Sequence, residues 1–200
     1  YNDEHQEDLF EKCFKQITKE QVKEYRISGK SIRMDSKLIS SNIAWYSRYE
    51  IIHETFVKSV TSEELEEIED QMVRQQALEF FDEDAAKTVY RTDTDAMGKR
   101  LLTLGIVIDY ILTHCDENEK ALLRRVFHEQ YDKSDKGEVT VREKRLISAK
   151  SVQNPNDPDA NYRGKHGQKV KGYSVNFTET TDEPDKPSLI THVDVEYAST

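Results

Sequence analysis

The most informative stretch of this chain is Ser31-Ile32-Arg33-Met34-Asp35, which continues directly as Ser36-Lys37-Leu38-Ile39-Ser40-Ser41-Asn42-Ile43. The segment Ser28-Gly29-Lys30 interrupts the helical pattern before it, so we interpret Lys30 to Asp35 as a short strand. A helical region is predicted to follow at once. Asp35 would then lie at the C-terminal end of the strand, a position from which a carboxylate can bind a metal ion.

Asp35 has a second interpretation from its position alone. An aspartate between a strand and a helix commonly caps the helix, because its carboxylate accepts hydrogen bonds from backbone N–H groups of the first turn. The spacing does not separate this capping role from a catalytic or metal-binding role.

The composition is that of a folded chain with an uneven charge distribution. Its 200 residues are enough for one large domain or two small ones, and seven Phe, ten Tyr and one Trp are too many aromatics for a disordered chain. The net charge of −10 argues against nucleic-acid binding by the whole surface. Residues 61–96 hold twelve Asp/Glu against three Lys/Arg, whereas residues 141–171 hold eight Lys/Arg against three Asp/Glu. The basic stretch is either a nucleic-acid-facing surface or one of two solvated faces.

Cysteines and apolar runs exclude several classes of protein. Cys13 and Cys115 stand alone, without the spacing of a zinc site or a disulfide framework, which fits a reducing cytoplasm. No apolar run approaches the ~20 residues of a membrane-spanning helix and no signal peptide is visible, so we expect no membrane partner. The chain starts at Tyr1 rather than Met, and we expect it to be an excised piece of a longer protein.

Apolar spacing predicts a helix, a strand, a helical block and two further strands. Residues 7–25 form an amphipathic pattern, and helical patterns recur from residue 38 to residue 131, with one helix start predicted at Thr61. Residues 169–180 and 189–197 alternate as strands joined by a polar connection. Because a lone strand cannot satisfy its own backbone hydrogen bonds, we expect the first strand to pair with this later hairpin.

A basic segment precedes the second strand. It reads Arg163-Gly164-Lys165-His166-Gly167-Gln168-Lys169-Val170-Lys171. Its four cations could neutralise DNA phosphates, and glycine allows the backbone to approach closely. We therefore name as candidate DNA-binding residues Arg163, Lys165, Lys169 and Lys171. Lysines also suit the edge of a hairpin, where they discourage aggregation, and the sequence leaves both interpretations open.

Other motifs favour structural roles. Trp45, Tyr46 and Tyr49 cluster with Arg48, which is typical of an apolar helix stripe and, less directly, of a platform for stacked bases. The two His-Glu pairs, at residues 53–54 and 128–129, lack the second histidine of a zinc-protease motif.

Together these segments resemble the catalytic domain of bacterial insertion-sequence DDE transposases. The stretch from Arg33 to Glu50 is similar to the segment that carries the family's first aspartate. Residues 156–165 and 172–176 (Asn-Asp-Pro-Asp-Ala-Asn-Tyr-Arg-Gly-Lys and Gly-Tyr-Ser-Val-Asn) resemble the approach to its second strand, and residues 189–193 (Leu-Ile-Thr-His-Val) resemble its third.

The resemblance implies an α+β fold, namely part of an RNase H-like domain. Its three-strand antiparallel meander would carry a large helical insertion between strands one and two. The expected division is into the tail of an N-terminal helical domain, the first strand, the helical insertion, and the second and third strands, at residues 1–28, 29–36, 37–147 and 148–200.

The resemblance also implies chemistry and partners. The family transfers phosphoryl groups on DNA, and three carboxylates hold two Mg²⁺ (or Mn²⁺) ions. Only Asp35 matches, as catalytic residue and first metal ligand; an Asp on a fourth strand and a Glu further on are expected after residue 200. The implied partner is DNA, as transposon ends and target. The sequence leaves the oligomeric state open, with a homo-oligomer as one alternative.

One carboxylate cannot hold two divalent ions tightly, so we expect this polypeptide alone not to cleave DNA. The alternatives are a non-catalytic helical interaction or regulatory module, an inactive transposon remnant, and a nuclease with the same core.

Overall fold

A computed structural model describes residues 9–40, 46–116, 119–165, 167–181 and 185–198. The fold is mixed α+β, with a helical block and antiparallel sheets, as predicted at that level. The α-helices are α1 (Leu9–Glu24), α2 (Arg48–Ser59), α3 (Ser62–Glu66), α4 (Gln71–Phe81), α5 (Ala85–Arg91), α6 (Thr94–Thr113) and α7 (Ala121–Gln130). The strands are β1 (Ile32–Ser40), β2 (Tyr131–Lys133), β3 (Val139–Val141), β4 (Asn161–Lys165), β5 (Gln168–Thr180) and β6 (Ile190–Tyr197). A short 3₁₀ turn covers Lys144–Leu146.

The larger sheet is built around β5. Strand β1 pairs antiparallel along one edge of β5, from Ile32 opposite Thr180 to Ser40 opposite Gly172. Strands β4 and β6 lie one after the other along the opposite edge, since Asn161 also pairs with Gly172 and Tyr197 pairs with Tyr173. The expected pairing of the first strand with the later hairpin is therefore confirmed.

The first strand is longer than predicted. We expected it to end at Asp35 and a helix to follow, but β1 continues to Ser40, and the first helix described after it begins at Arg48. The long β5 supplies the reason, because residues 172–176 offer backbone partners to residues 36–40. The Ser36 hydroxyl also donates a hydrogen bond to Asn176 Oδ1 at 2.7 Å. Pairing across the sheet thus overrides the helical spacing that starts at Leu38.

Two further features differ from the sequence prediction. The helix predicted from Thr61 does begin there, with Thr61 and Glu64 forming a capping box, but it ends after Glu66. Asp70 then caps a new helix by accepting hydrogen bonds from the N–H groups of Met72 and Val73. The β2–β3 hairpin and strand β4 were not predicted, because strands of three to five residues are too short to show a clear alternation of apolar and polar side chains.

The apolar core lies in the helical block. Its most deeply buried side chains come from α2, α6 and α7, and include Phe56, Leu104, Ile108 and Leu123 at 0% exposure. Beyond the helices, the described chain adds four buried members to this cluster: Val60, Ile68, Tyr131 and Val152. The larger sheet contributes none of its described residues to the cluster, so the helical block and the sheet are packed to very different degrees.

The segment between β3 and β4 joins the two parts. Val152 is buried in the helical core, and its N–H donates to Glu129 Oε2 of α7 at 2.8 Å. At the other end, the N–H of Tyr162 in β4 donates to the carbonyl of Ala149 at 3.2 Å. Within the described residues, no helix has the length and apolarity needed to cross a bilayer. The expected division into four regions stays a prediction.

Candidate functional site

Asp35 lies in the middle of an exposed strand. It is the fourth residue of β1, opposite Phe177, and its Oδ1 accepts a hydrogen bond from the Ser36 N–H at 2.8 Å. Two expectations for its position are wrong. It does not end the strand, and it does not cap the helix that follows, because Ser47 caps α2.

The surroundings of Asp35 are mixed in charge. Side chains two residues apart in a strand share a face, so Arg33 and Lys37 lie on the same face of β1 as Asp35. Glu179 is opposite Arg33 and is bound by it, with Arg33 Nε donating to Glu179 Oε1 at 2.6 Å. Residue ranges 9–40, 46–116, 119–165, 167–181 and 185–198 contain no group of three or more His, Cys, Asp or Glu side chains able to hold a metal ion.

The four candidate DNA-binding cations do not form one patch. The hairpin register places Arg163 opposite Val170, whereas Lys169 and Lys171 alternate with Val170 and occupy the other face. Arg163 Nη1 donates to the Ala198 carbonyl at 3.0 Å, which ties β4 to the end of β6. The side chain of Lys165 lies outside the described part of the structure. Lys169 and Lys171 are thus the two that the fold brings together.

Lys169 and Lys171 line a groove between the sheet and the helical block, which we call the basic groove. Its volume is about 650 Å³. Four segments form it: the start of α2 with the two residues before it, the end of α7, the loop after β3, and the β4–β5 hairpin. It is lined by Tyr46, Ser47, Arg48, Ile51, Gln130, Lys144, Ile147, Ser148, Ala149, Ser151, Val152, Gln153, Tyr162, Lys169 and Lys171.

The charge of the basic groove is of one sign. Among the residues that the structure describes, its lining contains four cationic residues (Arg48, Lys144, Lys169 and Lys171) and no Asp or Glu, although the whole chain has 39 acidic residues against 29 Lys and Arg. Such a concentration of positive charge in a concave surface attracts anions.

Arg48 is a fixed part of the groove wall. Its guanidinium donates to Gln130 Oε1 at 2.8 Å, to the Gln130 carbonyl at 2.6 Å and to the Arg142 carbonyl at 2.9 Å. Burial lowers the pKa of Arg48 below its ordinary value, but an arginine remains charged at neutral pH. These bonds hold the start of α2 against the β2–β3 hairpin and keep a positive charge at the groove.

The three lysines of the groove differ in exposure. Lys144 and Lys169 are exposed, whereas Lys171 is 6% exposed. Burial lowers the pKa of the Lys171 ammonium, because a charged group loses hydration when it leaves water.

The aromatic cluster of the sequence divides between core and groove. Tyr49 is 2% exposed, and its hydroxyl donates to Glu83 Oε1 at 2.8 Å, as expected for a packed helix stripe. Tyr46 is half-buried, packs against the core and also lines the groove. Trp45 lies outside the described residues. The histidine of the first His-Glu pair, His53, is buried in the helical block and donates from Nε2 to the Phe80 carbonyl at 2.7 Å.

Sequence reasoning missed two residues of the groove. Lys144 belongs to the basic stretch at 141–171, so it was included in the count of positive charges, but the count did not show that it lies beside Lys169 and Lys171. Tyr162 is next to Arg163 in sequence. The hairpin register, which pairs Tyr162 with Lys171, is what identifies it as a residue of the groove.

Comparisons with known proteins add no relative to this geometry. Neither protein-family models nor curated proteins nor solved structures give a match to the chain.

Proposed function

We propose that this chain is part of a DDE transposase, comprising the first three strands of its RNase H-like catalytic domain and a helical insertion. One observation carries the proposal: the strand with Asp35 pairs antiparallel with β5, which pairs antiparallel with β6, while the helical block separates β1 from β5 in sequence. This is the strand order and the place of insertion that the family resemblance implies.

The proposal concerns DNA as substrate and Asp35 as one of several catalytic carboxylates. The described residues do not by themselves fit a pair of divalent ions. The acidic side chain near Asp35 in the sheet is Glu179, and Arg33 already binds it. Further carboxylates, expected from residues after 200, would have to complete any Mg²⁺ or Mn²⁺ site. Within this chain, the sheet would position Asp35 and the basic groove would bind DNA phosphates.

The decisive test is strand cleavage by the parent protein. We expect its reading frame to continue past residue 200 with a strand that carries an Asp and later a helix that carries a Glu. Cleavage of DNA with Mg²⁺ should fall by more than about 100-fold in Asp35→Asn, since even partners that only orient metal ligands change activity by about 10–100-fold.

A matched control is available in the same sheet. Asp194 is an exposed aspartate on β6 whose register position, opposite Asn176, places it on the other face from Asp35. Asp194→Asn should cleave like the parent protein. Equal loss in both variants, or cleavage that survives Asp35→Asn, would refute the catalytic role. A stop codon close to residue 200 would instead favour an inactive remnant.

The 200-residue chain itself should not cleave DNA with either Mg²⁺ or Mn²⁺. Cleavage by the purified chain that disappears in Asp35→Asn would show that the additional carboxylates are unnecessary, and the proposed division of the active site would be wrong.

A further inference from the structure

The basic groove has the size of a site for a small ligand. Its volume of about 650 Å³ lies within the ~300–1,000 Å³ typical of pockets that enclose small molecules. A DNA duplex cannot enter such a space, whereas one or two nucleotides of a separated strand can.

The groove also combines cations with aromatic side chains. Lys144, Lys169 and Lys171 come from two segments about 25 residues apart in sequence, and Tyr46 and Tyr162 lie in the same lining. Proteins bind single strands through this combination, because lysines follow the phosphates and aromatic rings stack on the bases. A cationic lining alone would fit any phosphate, so the two tyrosines are the feature that favours a nucleotide.

We propose that the basic groove binds one or two nucleotides of a single DNA strand, with phosphates near Lys144, Lys169 and Lys171 and a base against Tyr162. This inference rests on the proposed function for the choice of DNA as ligand. It goes beyond that function by assigning the groove to an unpaired strand rather than to the duplex.

The position of the groove in the sheet agrees with this assignment. Lys171 and Phe177, the residue opposite Asp35, lie on the same face of β5, six residues apart. Six residues of strand span about 20 Å at ~3.3 Å per residue. This distance is about the rise of six base steps of duplex DNA, and an unpaired strand can extend further per nucleotide, so one short strand can reach both the groove and Asp35.

The test is a binding titration of the 200-residue chain by fluorescence anisotropy. The probes are labelled 12-mers: oligo-dT, an abasic strand of equal length, and a duplex. Oligo-dT should bind at least about fivefold more tightly than the abasic strand, because stacking on a ring contributes at least that factor per base. It should also bind more tightly than the duplex.

Charge and ring variants locate the site. The double variant Lys144→Glu/Lys169→Glu changes two exposed lysines of the groove and should lower oligo-dT affinity by at least about tenfold while flattening the dependence on salt by about 1.4 in log–log slope. The matched control Lys19→Glu/Lys136→Glu makes the same change of charge at two exposed lysines outside the groove lining and should have little effect. Tyr162→Leu should lose at least about fivefold in affinity, whereas Tyr162→Phe, which keeps the ring, should bind normally.

Several results would overturn the assignment: no binding of oligo-dT, a preference for the duplex, an equal loss in the control double variant, or unchanged affinity in Tyr162→Leu. Failure here is separable from failure of the proposed function. The proposed function is judged by DNA cleavage in the parent protein, whereas the groove is judged by oligo-dT binding to the 200-residue chain, so lost cleavage in Asp35→Asn concerns only the proposed function. If the parent protein cleaves DNA as expected but the groove variants do not change oligo-dT affinity, only the groove assignment is wrong.

Discussion

Glu83 places an ionised side chain against the helical core. Its carboxylate accepts hydrogen bonds from the Tyr49 hydroxyl and from the Arg100 guanidinium, and its side chain is 7% exposed. Burial alone would raise the pKa of Glu83, but the hydrogen bonds from Arg100, Thr88 and Tyr49 outweigh burial and hold the pKa below its ordinary value. The network joins α2, α6 and the segment between α4 and α5.

The lowered pKa of Glu83 predicts a specific pH dependence of stability. In the unfolded chain this carboxyl takes up its proton near pH 4.5, its ordinary pKa, whereas in the folded chain it does so only at lower pH. Its stabilising contribution is therefore complete above about pH 4.5 and is lost as the pH falls through the folded pKa. Glu83→Gln should reduce the free energy of unfolding at pH 7 by about 1–3 kcal/mol, a value discounted because Arg100 is partly solvated.

The measurement is urea denaturation of both proteins from pH 7 to pH 3. The difference in stability between them should shrink below pH 4.5. Other carboxyls with lowered pKa, such as Glu64 and Asp132, are present in both proteins, so their contributions cancel in the difference. A difference that stays constant over this range would mean that the charge of Glu83 does not stabilise the fold.

Asp35 differs from Glu83 in its burial and in its contacts. It is exposed, and its carboxylate accepts a hydrogen bond from the N–H of the next residue. Replacing it by Asn should change the free energy of unfolding by less than about 0.5 kcal/mol, as is usual for surface sites. A loss of cleavage in Asp35→Asn therefore could not be attributed to unfolding, and circular dichroism melting of the variant checks this.

At the scale of elements, α6 carries a glycine where another helix side chain would not fit. A Cβ on Gly105 would come within 2.8 Å of three atoms of the Tyr131 ring. That ring cannot move easily, because it is 2% exposed, stacks on Phe127 at 5.3 Å and donates from its hydroxyl to the Leu101 carbonyl at 2.8 Å. Gly105 thus allows the first residue of β2 to pack directly against α6.

Two alanine substitutions in α6 separate this packing from helix propensity. Gly105→Ala should lower stability by about 1–3 kcal/mol, because overpacking costs more than the ~1 kcal/mol that alanine gains over glycine in a helix. Gly98→Ala, in the same helix with no atom within 4 Å of its added Cβ, should raise stability by about 0.5–1 kcal/mol. Urea denaturation checks both, and stabilisation by Gly105→Ala would show that the tyrosine ring adapts without cost.

Elements with strong local patterns were predictable from the sequence. Helix α1 and strands β5 and β6 lie within two residues of their predicted bounds, because amphipathic and alternating patterns are properties of the segment itself. The ends of β1 and α3 were predicted less well. The length of β1 depends on partners in β5 more than 130 residues away, which the local sequence does not encode.

The basic groove was only partly predictable for a similar reason. Lys169 and Lys171 were singled out from their charge, but their proximity to Lys144 depends on how the loop after β3 packs on β4. The separation of Arg163 from these lysines depends on the one-residue register of the β4–β5 hairpin, since a shift by one residue moves a side chain to the opposite face. Composition counts charges but does not assign them to faces.

At the scale of the whole molecule, the helical block and the larger sheet are buried to different extents. Eight of the nine residues of β1 are exposed, and apolar side chains such as Val193 and Val195 of β6 remain 41% and 59% exposed. The helical core, by contrast, holds seven apolar residues of 0% exposure in α2, α6 and α7 alone: Ile52, Phe56, Leu104, Val107, Ile108, Leu123 and Val126. A strand that buries little apolar area gains little hydrophobic stabilisation.

This asymmetry predicts that the sheet opens before the helical block. Local opening requires less free energy where few apolar contacts are lost, so amides of β1 should exchange with solvent at least about tenfold faster than amides of α6 after correction for intrinsic rates. Hydrogen exchange followed by mass spectrometry measures this, with α7 as a second buried reference.

If the proposed parent protein adds a strand and helices to this sheet, β1 should be protected more strongly in it than in the 200-residue chain, while α6 should change little. Equal protection of β1 and α6 in the 200-residue chain would contradict this prediction. It would mean that the sheet is as stable as the helical block although it buries fewer apolar side chains.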